Sequence, residues 1–181
     1  MSAAQRDLVF VTVGTDHHPF DRLIDWVDAW AAADPARLAV PCLVQSGTSK
    51  APRHLPYRDY VRYDEMCEAM SRAVAVVSHG GPATIMDARR LGRVPIVVPR
   101  SHDLGEHVDN HQHRFARRMA DLGQIHLASG PEELFSLLDR ALADPDAFSL
   151  VASGDDIAAA VDRFSEMVDD LMAAGPRRRR R

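Results

Sequence analysis

Two short segments concentrate the residue types that meet a phosphorylated ligand. Gly14-Thr15-Asp16-His17-His18 follows the apolar run Leu8 to Val13, and Ser78-His79-Gly80-Gly81-Pro82-Ala83-Thr84 follows the apolar run Val74 to Val77. Glycine at a strand end lets an anion approach the backbone, and a helix opening directly afterwards offers unpaired N–H groups and a favourable dipole. That chemistry suits a phosphate or a nucleotide, although the same glycines also serve a plain strand-to-helix turn. Neither segment is G-x-G-x-x-G or G-x-x-x-x-G-K-[ST], which argues against NAD and against a P-loop ATPase. Asp87 stands one turn into the helix expected after Thr84. A carboxylate there accepts bonds from both ribose hydroxyls of a nucleotide, or merely complements the helix dipole.

Histidines gather near the same segments. Seven of the nine fall in three clusters: His17 and His18; His79; and His102, His107, His111 and His113. His107 and His111 are four apart, so one helix face would hold both, and zinc is conceivable. The stretch His107-Val108-Asp109-Asn110-His111 lacks the Glu that serves as general base in H-E-x-x-H. No metal is expected, and hydrogen bonding to a polar ligand is the simpler use of these rings.

Positioning these segments requires alternating strands and helices. Leu8 to Val13 is a continuous β-branched run, as in a strand covered on both faces. Phe20, Leu23, Ile24, Val27 and Trp30 repeat at helical spacing behind Pro19. Further strands are expected over Leu38–Val44, Tyr60–Val61, Val74–Val77, Val94–Val98 and Gln124–Leu127. Helices are expected over Met66–Ser71, Pro82–Leu91, Val108–Leu122 and Pro131–Leu142, with Ser101–Glu106 a polar loop. This order predicts an α/β fold with a mostly parallel sheet and helices on both faces. Ile157, Val161, Phe164, Val168 and Leu171 form one later helical stripe, so residues 155–173 read as an amphipathic helix. It either packs on its own domain or docks a partner. Residues 176–181 read as a disordered arginine tail.

Composition narrows the function classes. At 181 residues, 46% hydrophobic and 27% charged, the chain has the make-up of one soluble globular domain, taken as residues 1–150. The net charge of −4 resolves into +5 over Arg177–Arg181 and −9 over residues 1–176. A body this acidic is a poor binder of a phosphate backbone, so no nucleic acid partner is expected. No apolar run approaches the ~18 residues of a membrane span, and no signal-peptide pattern precedes Leu8. Cys42 and Cys67 make neither a disulfide framework nor a CxxC motif. A cytoplasmic setting is expected.

The motifs also carry a family resemblance. Phe10-Val11-Thr12-Val13-Gly14-Thr15 with Pro19 to Ile24, Val77-Ser78-His79-Gly80-Gly81 with Thr84, Gly92 to Arg100, and Gly105-Glu106-His107-Val108-Asp109-Asn110-His111-Gln112 occur in family order over residues 8–125. Together they resemble the C-terminal, donor-binding domain of glycosyltransferase family 28, one half of a GT-B enzyme with a Rossmann-like sheet. The similarity is greatest to small subunits of two-component glycosyltransferases, such as the exopolysaccharide β-1,4-glucuronosyltransferase type.

The resemblance implies an inverting transfer of a hexose-type sugar (GlcA, GlcNAc or Glc) from a UDP-sugar to a polyprenyl-linked saccharide, with no cofactor or metal. It implies a membrane-anchored acceptor subunit that completes the fold, and a cytoplasmic chain held at the inner face of the membrane through that partner. By position, Gly14 and Thr15 would face the diphosphate. Ser78, His79, Gly80, Gly81 and Thr84 would cradle it, Asp87 would hold the ribose, and main chain near residues 60–64 would read the uracil. Glu106, Asn110, His111 and Gln112 would line the sugar pocket, and the charge of Arg100 makes it a candidate for a sugar carboxylate if the donor is UDP-glucuronate. Pro82 stands where a small residue is usual in the family, and Asp87 where Glu is usual. Asp16, His17 and His18 are candidates for the base, with a partner residue equally open. Two other readings remain at this stage: a UDP-sugar-binding module without turnover, and a zinc hydrolase built on the histidines.

Overall fold

The computed structural model describes residues 6–108 and 111–150, with His111 described by its backbone alone. The expected helix over 155–173, the tail 176–181, Asn110 and the His111 side chain lie outside the described residues.

The elements run β1 (Leu8–Thr12), α1 (Asp21–Ala32), α2 (Pro35–Leu38), β2 (Cys42–Gln45), β3 (Tyr57–Arg58), α3 (Tyr63–Arg72), β4 (Ala73–Ser78), α4 (Pro82–Arg90), β5 (Ile96–Val97), α5 (His111–Asp121), β6 (His126–Leu127) and α6 (Pro131–Ala143). All pairings are parallel and the strand order is β3-β2-β1-β4-β5-β6. β1 and β4 are buried along their whole length, as their unbroken apolar runs require. Strand alternation divides β1 between two cores. Val9, Val11 and Val13 pack with Leu23, Ile24, Val27 and Trp30 of α1 and Leu134 and Leu138 of α6. Leu8 and Phe10 point the other way, onto Ala69 and Met70 of α3 and Ala88 of α4. A third cluster seats Phe115, Ala116 and Met119 of α5 against Val97 and Ile85. Helices therefore cover both faces, as expected.

Several boundaries differ from the sequence expectation: α3 begins at Tyr63 rather than Met66, β5 shortens to Ile96–Val97 and β6 to His126–Leu127, and three further differences follow. The third strand is Tyr57–Arg58 rather than Tyr60–Val61. It is a two-residue edge strand with both residues exposed, so no apolar run marks it. The second strand begins at Cys42 and not at Leu38. Asp34 caps a helical turn there by accepting from the Ala36 N–H at 2.8 Å, with Pro35 at its first position. Last, α5 starts at His111, so His107 sits in the preceding loop and does not share a helix face with His111. The expected polar loop over residues 101–106 contains a 3-10 turn at His102–Leu104.

The sheet order reverses direction between β1 and β4. In open parallel sheets the crevice outside the carboxyl ends at that point is where ligands bind. Thr12 and Ser78 are register partners, so the two glycine segments leave the sheet side by side.

Candidate functional site

The site is assembled from the carboxyl ends of β1 and β4. Gly14 has φ +81° and Gly80 has φ +88°, both in the region that favours glycine. Thr12 Oγ1 accepts from the Gly14 N–H at 3.1 Å and from Gln45 Nε2 at 3.1 Å. Gln45 Oε1 in turn accepts from the Val61 N–H at 3.2 Å, tying the β3 exit to β1.

The glycines have a second reason for being glycines. The His79 imidazole lies between the two loops. A Cβ at Gly14 would stand 2.5 Å from His79 Cε1, and one at Gly81 would stand 2.5 Å from His79 Nε2. The glycine segments thus converge on an aromatic ring rather than on an empty hole. Burial, reinforced by the Arg100 charge, lowers the His79 pKa to about 4, so its ring is neutral near pH 7. His79 Nδ1 and the Ser78 hydroxyl are buried without a hydrogen-bond partner. Leaving such an atom unsatisfied costs about 1–3 kcal/mol. Immediately beyond them, α4 opens at Gly81 with no side-chain cap and with Pro82 at its first position. Its first-turn N–H groups have no intrahelical partner. Asp87 is half-buried on α4 and accepts from the exposed Tyr63 hydroxyl at 3.2 Å.

On the β1 side, Asp16 organises three imidazoles. Its Oδ1 accepts from the His18 N–H at 2.9 Å and lies 2.7 Å from His18 Nδ1 and 3.2 Å from His17 Nδ1. Its Oδ2 lies 4.0 Å from His107 Nε2. Partial burial works against the Asp16 anion, but the His18 N–H and ring and the Arg100 charge outweigh it and hold the pKa at about 2. Thr15 and His17 are exposed, whereas His18 is half-buried. Asp16, His17 and His18 are also close enough to share an ion, each offering one ligand atom within 4.8 Å of the others.

Behind this front lies a buried polar wall. Arg100 is 1% exposed. It donates through Nη1 to His18 O at 2.6 Å and Glu106 O at 3.0 Å, and through Nη2 to Val13 O at 2.7 Å. The Glu106 carboxylate accepts two bonds from Arg22, at 2.9 and 2.7 Å, and one from the Ser101 N–H at 2.8 Å. Gln112 Oε1 accepts from the Arg100 N–H at 3.2 Å. The structure therefore brings Gly14, Asp16, His18, Ser78, His79, Gly80, Gly81, Thr84 and Asp87 to one crevice, and places Arg100, Glu106 and Gln112 as the wall behind its first loop. The Arg100 guanidinium, expected at a sugar carboxylate, is directed here to main-chain carbonyls.

Sequence reasoning missed four residues: Thr12, Arg22, Gln45 and Tyr63. Thr12 and Gln45 carry a faint signal, each being a polar residue at the end of an apolar strand. Arg22 and Tyr63 carry none, because their partners lie 84 and 24 residues away.

A parallel sheet that reverses between β1 and β4, with glycine loops at the switch point, defines an open α/β domain of the kind that binds ligands there. Within that class, the chain belongs to the glycosyltransferase family 28 C-terminal domain family, whose model matches residues 8–164. A pyrophosphoryl-undecaprenol N-acetylglucosamine transferase of Rhizobium etli is 28% identical over 119 residues, covering 62% of this chain and 31% of the relative. The UDP-N-acetylglucosamine transferase subunit ALG13 of Yarrowia lipolytica is 39% identical over 56 residues, covering 31% of this chain and 26% of that one. The chain thus spans about a third or less of the curated relatives it matches. Among solved structures, the solution structure of ALG13 is similar with a TM-score of 0.53 and 18% identity, over 87% of this chain and 96% of the other.

Proposed function

We propose that this chain is the donor-binding, catalytic half of an inverting glycosyltransferase that moves a sugar from a UDP-sugar to a lipid-linked acceptor. The observation that carries the reading is the crevice between β1 and β4. There α4 opens without a side-chain cap, and His79 Nδ1 and the Ser78 hydroxyl, in the loop that leads into it, are buried without a partner. A diphosphate satisfies all three. Its negative charge grows as the bond from the anomeric carbon to the diphosphate oxygen breaks, and fixed N–H dipoles stabilise that charge without a metal. Asp87 and Tyr63 are positioned to hold the ribose, with the uracil beyond them near residues 60–64.

His18 is the base this geometry favours among Asp16, His17 and His18. Asp16, ionised with its pKa at about 2, holds His18 Nδ1 and leaves Nε2 to take the proton of an acceptor hydroxyl. The hydroxyl oxygen then bonds the anomeric carbon on the face opposite the departing UDP, which keeps the bonding electron pair, and the configuration inverts.

The donor sugar falls within GlcA, GlcNAc and Glc, and the named relatives favour GlcNAc. A second subunit supplies the acceptor half, as the word "subunit" in the name of the Yarrowia relative supports. That subunit holds the chain at the cytoplasmic face of a membrane during exopolysaccharide or related synthesis.

Thermal unfolding of the purified chain with UDP, UDP-sugars, ADP and NAD, each with and without a chelator, tests the reading. A ligand at 100 times its Kd stabilises by about 2.7 kcal/mol. A chelator-insensitive upward shift with uridine ligands alone is expected. Equal shifts with all nucleotides, or none with any, would sink the proposal for this site.

A further inference from the structure

The exposed face of α5 is cationic. Arg114, Arg117 and Arg118 lie on it in successive turns, while Phe115, Ala116 and Met119 fill the buried face. With His113 and Asp121 these arginines line one shallow surface cavity of about 240 Å³. Among the described residues, none of the three arginines has an ion-pair partner. The patch inverts the local sign of a chain whose residues 1–176 sum to −9. It is also not purely polar at its borders. Leu104 and Val108, in the loop that leads into α5, are 63% and 66% exposed, and Leu122 just past its end is 37% exposed. Leu104 and Val108 stand at the carboxyl end of the sheet, where the crevice opens.

We propose that this face, the α5 arginines with Leu104 and Val108, rests on an anionic lipid bilayer. The arginines carry three positive charges and, among the described residues, no ion-pair partner, so a surface of dense negative charge is the match for this face. The same cluster bordered by apolar side chains on a loop tip is the pattern of a surface-bound membrane contact. Each Arg near an anionic headgroup layer strengthens partitioning about fivefold. The bilayer contact does not rest on the lipid-linked acceptor proposed above.

Flotation of the full chain tests it, using vesicles of phosphatidylcholine alone and vesicles with about one-third phosphatidylglycerol. Binding to the anionic vesicles only, weakened by salt, is expected. The variant Arg114→Gln/Arg117→Gln/Arg118→Gln should lose at least tenfold in partitioning with an unchanged Tm, and Leu104→Ser should remove the part of binding that survives high salt. Triple-variant binding equal to the parent would overturn the proposal, because residues 176–181 would then carry the attraction. Absence of binding by the parent would also overturn it, leaving the face to an acidic protein. Loss of the UDP-induced melting shift with flotation intact would instead overturn the donor-site reading.

Discussion

The crevice has two polar halves that differ in how far they are satisfied. On the wall, both terminal nitrogens of Arg100 bind carbonyls and the Glu106 carboxylate accepts three bonds, with Arg100 Nε alone left over. On the facing side, Ser78 Oγ, His79 Nδ1 and the α4 opening have no partner. Both halves are buried and both are rich in hydrogen-bonding groups, so burial and polarity do not distinguish scaffold from site. Satisfaction does: a saturated group fixes the shape of a loop, and an unsaturated one at a crevice defines what must enter it.

The contrast makes measurable predictions. The largest concerns the wall. Arg100→Met leaves three buried carbonyls unpaired, so a loss of about 3 kcal/mol or more is expected in urea unfolding; a loss below 1 kcal/mol would mean that the wall is not holding the first loop. Next come the glycines that admit His79. Gly81→Ala sets a methyl 2.5 Å from the ring and should cost about 2 kcal/mol, of the order of an overpacked site. Combining it with His79→Ala should recover most of that loss. Gly14→Ala should not be rescued as fully, since its φ of +81° stays strained.

Acid titration separates the two halves further. His79 is lowered from 6.5 to about 4 by folding, so its contribution is complete above pH 6.5 and disappears as pH falls toward 4. That contribution is about 3 kcal/mol, and His79→Ala should flatten this part of the stability profile. Asp16 is lowered from 3.8 to about 2, so its contribution fades only below pH 3.8 and should persist in the His79 variant. The smallest effect is expected at the rim. Tyr63→Phe should change stability by less than about 0.5 kcal/mol, as for an exposed substitution. It should weaken UDP more than 2′,3′-dideoxy-UDP if the hydroxyl sets Asp87 for the ribose.

How much of this was legible in the sequence follows from the range of the interactions. β1, β4, α1, α4 and α6 are visible because each is a continuous apolar run or a clear helical stripe. β3 is invisible because two exposed residues have no pattern. The glycine segments are legible as a phosphate-type site, since strand end and helix start are adjacent in sequence. What Gly14 and Gly81 accommodate is not, because the ring between them meets Gly14 only after β1 and β4 pair. The same holds for Arg100, whose carbonyl partners at Val13 and His18 lie 87 and 82 residues away. Its charge alone suits a ligand contact; its burial is a tertiary fact.

The sheet's outermost strands, β3 and β6, are only two residues long. Long free edges invite other chains to add strands, which is a route to aggregation and to domain swapping. Among the described residues, each border offers few N–H and C=O groups to template such growth, so an association that lengthens the sheet is disfavoured from the outset.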